Sequence, residues 1–375
     1  MNPTIRAKVV QRIVDELEPA RWSIPEDFLT FSHFERVVKE LEWNSSPGYP
    51  YCITTPTNRI LFGVEEGIPS QQSMNRVWEM VQRQIRERMA DPIRFFVKPE
   101  PHSNRKLKDE RYRLISSVSV IDQIIDHMLF DDMNHALIAN CDRTPIKAGW
   151  TPMKGGWRWI PKHGVESTDK QAFDHTAMGW QFEVELDIRK KLCNNMNPLW
   201  EELALWRYSM LFMEPIFVTS GGLLLKQRRP GIMKSGCVNT ITTNSIIQLI
   251  IHYRVALELG IDLRFIWAMG DDVIQEKQEQ LFYDLLSQYV IVKEKSSHVE
   301  FAGYRYNWRT IEPLYRAKHA FNLLHQKVSY LKETADAYAL LYAKSSSSGL
   351  MRKVLSEIHP SLATQEFLDA LWDEA

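Results

Sequence analysis

The stretch LRFIWAMGDDVIQ, residues 263–275, predicts two strands, Leu263–Ala268 and Val273–Gln275, joined by a tight turn. Two adjacent carboxylates, Asp271 and Asp272, lie in that turn after a glycine. They repel each other, so the turn is costly unless cations bind there, and hard oxygen ligands suit Mg²⁺ or Mn²⁺. Taken alone, the motif has another interpretation, an ordinary turn whose aspartates are solvated and bind no cation.

A second pair of carboxylates precedes this hairpin in the chain. Asp169 and Asp174 stand five residues apart, at the end of a predicted strand, Val165–Asp169, that a predicted helix, Met178–Leu192, follows. If this strand lies beside the hairpin, Asp169 and Asp271 can share two metal ions, the arrangement that stabilises an in-line phosphoryl displacement. Helix capping and turn formation are the alternative roles of the two aspartates.

Short polar side chains surround the start of a long predicted helix. Gly231–Gly236 reads as a glycine-bracketed loop, and the run Cys237–Leu259 predicts a helix that a glycine ends. Ser235 lies in the loop, and Thr240 and Asn244 lie one turn apart on the helix, so their polar groups face the same way. Such groups can discriminate sugar hydroxyls. An N-capping segment with satisfied polar residues is the alternative.

Basic residues are concentrated in one predicted loop. The segment Phe95–Ile115 begins and ends with apolar residues, which predicts two strands joined by an exposed loop. This loop carries Lys98, Lys106, Arg111 and Arg113. Spaced Lys and Arg side chains can hold a triphosphate while negative charge grows on its leaving pyrophosphate. A solvated charged loop is the alternative.

The charge distribution is uneven, although 46 Lys and Arg residues nearly balance 47 Asp and Glu residues. Seven Lys or Arg residues lie between Arg94 and Arg113 and four between Lys226 and Lys234, whereas Glu357–Ala375 contains none. Basic charge confined in this way is expected if one channel, rather than the whole surface, contacts nucleic-acid phosphates.

Composition excludes several classes of protein. A chain of 375 residues that is 44% hydrophobic and has 12 Trp can bury a sizeable interior, which rules out a mainly disordered protein. The four cysteines form no CxxC pair and the 11 histidines show no HExxH spacing, so we expect a reducing compartment and no zinc cluster. Because no apolar run reaches the roughly 18 residues of a spanning helix, and no signal peptide opens the chain, we expect no intrinsic membrane anchor.

The four elements follow one another as basic loop, Asp-x4-Asp, Ser-Gly-x3-Thr-x3-Asn and Gly-Asp-Asp. This ordered set resembles motifs F, A, B and C of the RNA-dependent RNA polymerases of positive-strand RNA viruses. The segments FVKPEPH, residues 96–102, and RYRLI, residues 111–115, look particularly like the sobemovirus and polerovirus branch. The loop that contains Ser46, Pro47 and Gly48 is similar to motif G of that branch, which contacts the template.

Two further segments after the hairpin extend the resemblance. The segment KEKS, residues 293–296, resembles motif D, and FAGY, residues 301–304, resembles the motif E turn. The resemblance implies an α+β right-hand fold with fingers, a palm containing an antiparallel sheet, and a small helical thumb. The implied boundaries are 1–163 for the fingers, 164–310 for the palm with a fingers insertion at about 193–233, and 311–375 for the thumb.

The resemblance also implies catalytic roles. Asp169 and Asp271 would bind two Mg²⁺ or Mn²⁺ ions, with Asp272 supporting one of them. Lys295, with Lys293 as the alternative, would protonate the departing pyrophosphate.

Two groups of residues would contact the incoming nucleotide. The triphosphate would be held by Lys98, Lys106, Arg111 and Arg113. The ribose 2′-hydroxyl would be recognised by Asp174, Ser235, Thr240 and Asn244.

The expected activity is template-directed RNA synthesis in viral replication complexes of the host cytoplasm. Its partners would be the RNA template, the nascent strand, nucleoside triphosphates, and a genome-linked protein primer or other replication proteins. The sequence leaves de novo and protein-primed initiation open. Three rival functions are a reverse transcriptase, a two-metal nuclease and a non-enzymatic RNA-binding scaffold.

Overall fold

The computed structural model describes residues 1–374 of the chain. Its α-helices are α1 (Pro3–Glu16), α2 (Phe31–Lys39), α3 (Asn58–Leu61), α4 (Gln71–Glu87), α5 (Asn104–Lys108), α6 (Val120–Ala139), α7 (Phe173–Thr176), α8 (Gly179–Leu192), α9 (Pro198–Tyr208), α10 (Thr240–Leu259), α11 (Gln280–Leu286), α12 (Arg316–Leu324), α13 (Leu331–Tyr342), α14 (Ser348–Ile358) and α15 (Gln365–Asp373). Its strands are β1 (Ile93–Val97), β2 (Leu114–Ser117), β3 (Val165–Gln171), β4 (Ile216–Thr219), β5 (Leu224–Lys226), β6 (Ile266–Met269), β7 (Asp272–Glu276), β8 (Ile291–Ser296), β9 (Val299–Phe301), β10 (Tyr304–Tyr306) and β11 (Ile311–Pro313).

A four-stranded antiparallel sheet lies at the centre of the molecule, in the order β6-β7-β3-β8. The predicted hairpin is its β6–β7 edge, and β3 pairs with the hairpin on one side and with β8 on the other. In this register Thr168 faces Val273 across one ladder and Lys295 across the other. The strand that carries Asp169 therefore runs directly beside the hairpin, which is the condition for Asp169 and Asp271 to share metal ions.

A second four-stranded sheet, in the order β2-β1-β4-β5, joins two distant parts of the chain. Strands β1 and β2 pair antiparallel on either side of the basic loop, as predicted, and the short helix α5 lies within that loop. Strand β4 then pairs with β1 in parallel. Residues 216–226 are thus built into the same sheet as residues 93–117.

The third sheet, β11-β10-β9, packs with the C-terminal helices around a separate hydrophobic cluster that includes Leu355 and Trp372. Strand β11 lies in a region that the sequence predicts to be helical beyond Arg309. The predicted palm–thumb boundary at residue 310 falls inside this sheet, because β11 at Ile311–Pro313 pairs with β10.

Two long helices are largely buried, and α10 packs against strand β6 of the central sheet. Helix α10 is buried almost continuously from Thr242 to Ala256 and ends at Gly260, whose φ of +68° is the left-handed conformation that glycine accepts without strain. Helix α6 packs against α2, α4 and α9, and the sequence pattern does not predict it. Because most of its residues are buried, its apolar side chains do not form the single stripe by which amphipathic surface helices are recognised.

The other predicted helices are present with shifted ends. The predicted helix Ser32–Trp43 ends earlier, at Lys39. Gln71–Met89 corresponds to α4, and Met178–Leu192 to α8. The predicted break at Ser345–Ser348 separates α13 from α14. Among residues 1–374, no helix combines the length and apolar character that crossing a bilayer would require.

Candidate active site

The turn between β6 and β7 is held in place by helix α10. The Gly270 amide donates to Ser245 Oγ at 2.8 Å, and Gln248 Nε2 donates to the Asp271 carbonyl at 3.1 Å. Gly270 has a φ of +63°, so the tight turn falls where glycine allows it. The long helix thus fixes the backbone on which both hairpin aspartates stand.

Asp272 is the more enclosed of the two hairpin carboxylates. The Ala302 amide, in the turn between β9 and β10, donates to Asp272 Oδ2 at 3.2 Å. Burial raises the pKa of Asp272 to about 6, and the neighbouring charge of Asp271 adds to the increase. A bound cation would relieve this cost, and a set of carboxylate oxygens is the donor chemistry that Mg²⁺ and Mn²⁺ prefer.

Strand β8 brings one of the two candidate lysines to Asp169. The pairing of β3 with β8 shifts register between Asp169 and Lys170, so that Lys293 is the extra residue of a β-bulge. The Lys293 ammonium forms an ion pair with the Asp169 carboxylate. Lys295 Nζ instead lies over the Tyr283 ring, 4.6 Å from its centroid. Of the two candidate lysines, Lys293 is therefore the one that contacts a candidate metal ligand.

Lys170 belongs to this site and was missed by sequence reasoning. Its side chain is buried, and burial lowers its pKa to about 7, whereas the charges of the hairpin aspartates and Asp169 act in the opposite direction. When it is protonated, this buried lysine offsets part of the repulsion among the three carboxylates. The sequence shows that it follows Asp169, but strand alternation alone would turn it away from that carboxylate.

Asp174 and Asn244 meet as predicted. The Asn244 side-chain amide donates to Asp174 Oδ1 at 2.8 Å, which connects the segment after β3 with helix α10. Burial raises the pKa of Asp174, the Asn244 hydrogen bond lowers it, and the charge of Asp271 raises it. The pair therefore lies near the hairpin turn.

Ser235 and Thr240 have other hydrogen bonds. Thr240 Oγ1 contacts the carbonyl oxygens of Cys237 and Lys234, at 2.7 and 3.0 Å. Ser235 Oγ accepts from the Ser116 amide of β2 at 3.1 Å. These two hydroxyls are engaged within the loop and with the neighbouring sheet, and the structure does not bring them into the Asp174–Asn244 hydrogen bond.

The basic loop contains an internal counter-charge. Glu100 pairs with Lys98 at 3.2 Å and with Arg113 at 3.3 Å. Burial acts to raise the pKa of Glu100, but the Lys98 hydrogen bond and the Arg113 charge lower it overall. Arg111 pairs with Asp109 at 2.7 Å, and Lys106 is exposed on α5.

The candidate template loop is anchored to the start of α6. The Pro47 carbonyl accepts from the Val120 amide at 2.8 Å, and Ser46 Oγ accepts from the Gly48 amide at 3.3 Å. A Cβ on Gly48, whose φ is +70°, would lie 2.8 Å from the Ser119 Cα. This close approach of two backbones requires glycine at position 48.

Residues 32–292 match the sequence profile of the family described as "Viral RNA-dependent RNA polymerase". The chain belongs to this family. The match covers more than half of the chain and contains the basic loop, both aspartate elements and the glycine-bracketed loop. Polymerases of this family use divalent metal ions, which agrees with the carboxylate donors found here.

Similar sequences confirm the predicted branch. The replicase polyprotein P2AB of Southern cowpea mosaic virus is 33% identical over 266 residues, which cover 64% of this chain and 27% of that protein. The protein P1-P2 of Potato leafroll virus is 27% identical over 363 residues, covering 85% of this chain and 33% of that protein. The polymerase chain thus spans between a quarter and a third of the length of these relatives.

A solved structure confirms the fold. The Sicinivirus 3Dpol RNA-dependent RNA polymerase superposes with a TM-score of 0.76 over 98% of this chain and 84% of that one, at 16% sequence identity. The predicted α+β polymerase fold is therefore confirmed.

Proposed function

We propose that this polymerase chain copies an RNA template from nucleoside triphosphates by nucleotidyl transfer, as the catalytic part of a viral replicase. The observation that carries the proposal is that Asp169 on β3 lies beside the turn that bears Asp271 and Asp272. When two Mg²⁺ or Mn²⁺ ions are bound by these carboxylates, they lower the pKa of the primer 3′-hydroxyl and neutralise the departing pyrophosphate.

The basic residues would hold the triphosphate. The four cations of the basic loop are Lys98, Lys106, Arg111 and Arg113. In this proposal the triphosphate oxygens replace Glu100 as the partner of Lys98 and Arg113. In this exchange the positive charge of Lys98 and Arg113 would be neutralised by the triphosphate instead of by Glu100.

Lys293 is our candidate for the proton donor. The 3′-oxygen forms a bond to the α-phosphorus, the bond from that phosphorus to the pyrophosphate oxygen breaks, and Lys293 protonates this leaving oxygen. Its ion pair holds the ammonium beside Asp169, a candidate metal ligand. Lys295 is less suited to this role, because its ammonium lies over the ring of Tyr283.

Selection of the sugar is proposed for the Asp174–Asn244 pair. A carboxylate and an amide already hydrogen-bonded to each other can exchange partners with the ribose 2′-hydroxyl at little cost in conformational entropy. Ser235 and Thr240 would contribute by holding the loop that precedes α10, since their hydroxyls contact that loop and strand β2.

The division into fingers, palm and thumb also remains a proposal. The sheet shared by residues 93–117 and 216–226 supports a fingers insertion at about 193–233. Strand β11 favours a palm that continues to Pro313. Ser46, Pro47 and Gly48 are proposed to contact the template, because their loop is fixed against the start of α6.

The same proposal assigns the chain to viral replication complexes in the host cytoplasm. Its substrates would be an RNA template, the nascent strand and nucleoside triphosphates. A genome-linked protein primer and other replication proteins are the proposed protein partners. The relatives named above are a replicase polyprotein P2AB and a protein P1-P2, of which this chain covers 27% and 33%, and this is compatible with such an assembly.

The test is nucleotide incorporation on a homopolymeric RNA template with Mg²⁺ or Mn²⁺, with and without a primer. The variant Asp271→Asn should abolish synthesis while RNA affinity stays largely intact. Asp284→Asn is a matched control, since Asp284 is exposed on α11 and should leave synthesis unchanged.

Each rival function predicts a different outcome. Preference for deoxynucleotides would indicate a reverse transcriptase, and RNA shortening without nucleotides would indicate a nuclease. Full synthesis by Asp271→Asn would contradict the metal assignment. With activity established, growth without a primer would indicate de novo initiation.

A further inference from the structure

A group of metal-ligating side chains lies on the interface between α2 and α6, apart from the active site. His127, Asp131 and His135 recur every four residues along α6, and therefore project from one face of that helix. Glu40 is the C-cap residue of α2. One donor atom from each of Glu40, Asp131 and His135 lies within 4.8 Å of the other two.

Asp131 is oriented by its neighbour on the same face. His127 Nδ1 and Asp131 Oδ2 are 2.7 Å apart, which leaves the other carboxylate oxygen for a further partner. Metal-binding side chains are commonly held in this way by a hydrogen bond from a second residue. This hydrogen bond fixes the orientation of the Asp131 carboxylate.

A buried imidazole without a hydrogen-bond partner in the described residues lies at the same interface. His33 is 5% exposed, and its Nδ1 has no hydrogen-bond partner within the described part of the chain. It precedes Glu40 by seven residues, two turns of α2, and thus shares that face of the helix. Burial lowers the pKa of His33, and the charge of Asp131 opposes this, as expected if the two side chains share the interface.

We propose that Glu40, Asp131 and His135 form a site for a divalent transition-metal ion of the zinc class that bridges α2 and α6. An imidazole with two carboxylates is a donor set for zinc or cobalt rather than magnesium. The two carboxylates supply negative charge, and the C-terminal end of α2 favours a cation beside Glu40. A water molecule would supply the fourth ligand of a tetrahedral ion.

The geometry requires a small adjustment. A tetrahedral zinc ion about 2.1 Å from each ligand holds donor atoms about 3.4 Å apart, so donor atoms that lie within 4.8 Å of one another need to approach by at most about 1.4 Å. Glu40 and His135 are exposed and can rotate to close this gap. The sequence search for paired histidines overlooks this group, because Asp131 takes the central position between His127 and His135.

The bridge would have a structural role. Helix α6 also carries Asp122 and Asp126, which bind the buried Arg207 of α9. An ion that joins α2 to α6 would stabilise the N-terminal helices against this central helix. The catalytic aspartates, whose donors are all oxygens, would not be part of the site.

The test is a Co²⁺ titration followed by visible absorption, in excess Mg²⁺ to occupy the catalytic carboxylates. The parent chain should bind one equivalent of Co²⁺, which Zn²⁺ displaces. His135→Ala and Asp131→Asn should weaken binding by more than about tenfold. His325→Ala, at an exposed histidine beyond α12, and Asp271→Asn should bind as the parent does.

Thermal unfolding supplies a second measurement. Zn²⁺ should raise the midpoint of the parent and of His325→Ala, but not that of His135→Ala or Asp131→Asn. No stoichiometric Co²⁺ binding by the parent would overturn the proposal. Equal binding by the parent and both ligand variants would overturn it as well.

Discussion

At the residue scale, the candidate active site combines the negative charges of three carboxylates with the side chains of two lysines. Lys170 is buried among the charges of Asp169, Asp271 and Asp272, and Lys293 pairs with Asp169 from the side. Burial and the neighbouring carboxylate hold the pKa of Asp272 at about 6. In the proposed function, metal ions and a triphosphate would bind at this site. Asp169 would then have a metal ion as its partner, and Lys293 could contact the triphosphate.

The two lysines of β8 give a matched pair of variants. We expect Lys293→Leu to slow single-nucleotide incorporation by roughly 10²-fold, because it removes a positioned proton donor. Lys295→Leu should slow it much less, since it loses a contact with the Tyr283 ring. Rapid-quench measurement across a range of pH checks this, as the basic limb of the profile should change in the first variant. A larger loss in Lys295→Leu would return the role to that residue.

Selection of the sugar can be tested on the Asp174–Asn244 pair. Asp174→Ala and Asn244→Asp both remove the hydrogen bond of 2.8 Å between these side chains, and the second also places two carboxylates together. We expect the ratio of kcat/KM for NTP over dNTP to fall by about tenfold, the loss of roughly one hydrogen bond to the 2′-hydroxyl. Unchanged selectivity with reduced overall rate would show that the pair only supports the fold.

What the sequence predicts at this scale follows from chemistry rather than geometry. Asp169, Asp271 and Asp272 could be named because their motifs occur in an order that resembles a polymerase, in which paired carboxylates bind the metal ions of phosphoryl transfer. The choice between Lys293 and Lys295 could not be made, because it depends on a β-bulge that a period-2 pattern does not reveal. Lys170 was missed for a related reason. Its burial depends on which segments pack over strand β3, and the local sequence does not show these segments.

At the scale of elements, the loop before α10 is the link between two sheets. The Gly236 amide donates to the Ser116 carbonyl at 3.0 Å, and Ser235 Oγ accepts from the Ser116 amide at 3.1 Å. Lys234 is buried below the loop and donates to Gln227 and to the Gly231 carbonyl. The position of β2 is thereby coupled to the helix that carries Asn244.

The elements also show where sequence patterns stop being informative. The C-terminal end of α10 could be predicted from Gly260 and the start of α4 from its amphipathic spacing, because both are local signals. Helix α6 was not predicted, since most of its residues are buried, its apolar side chains form no single stripe, and Asn140 rather than a glycine follows it. The parallel pairing of β1 with β4 joins segments more than a hundred residues apart, and no local signal specifies such a partner.

A substitution at Gly236 should break the link between the two sheets. A Cβ at this position would lie 2.4 Å from the Ser116 carbonyl oxygen, so Gly236→Ala must move either the loop or β2. We expect a lower melting temperature and at least a tenfold loss of RNA synthesis. Gly349→Ala is the control, because a Cβ there meets nothing within 4 Å in the first turn of α14. It should be neutral or stabilise slightly, by about 0.5–1 kcal/mol.

At the scale of the whole molecule, segments far apart in sequence are joined by buried ion pairs as well as by sheets. Arg207 of α9 is fully buried and contacts Asp126 at 2.6 Å through Nε and Asp122 at 2.5 Å through Nη1. Arg189 and Glu185 form another buried pair, but within the single helix α8. Such pairs add little net stability, but removing one partner leaves a charge in the interior.

Removing Arg207 tests this directly. We expect Arg207→Leu to lower the free energy of unfolding by about 3–5 kcal/mol, because Asp122 and Asp126 lose their counter-charge. The exposed Arg86 provides the control, and Arg86→Leu should change stability by less than about 0.5 kcal/mol. Equal melting temperatures for the two variants would contradict the interpretation.

The pH dependence of the stability lost in Arg207→Leu distinguishes an effect of charge from an effect of packing. Burial already raises the pKa of Asp122 to about 7 against the opposing charge of Arg207, so without Arg207 that pKa must rise further. A carboxylate whose folded pKa exceeds its unfolded value costs stability above the folded pKa, and the cost falls as protons bind at lower pH. The deficit of Arg207→Leu relative to the parent should therefore shrink between pH 8 and pH 5.5.

Adding Asp126→Leu to Arg207→Leu should recover part of the stability at pH 8, because an apolar replacement removes one of the uncompensated charges. A deficit independent of pH, with no recovery in the double variant, would mean that Arg207 acts through packing alone.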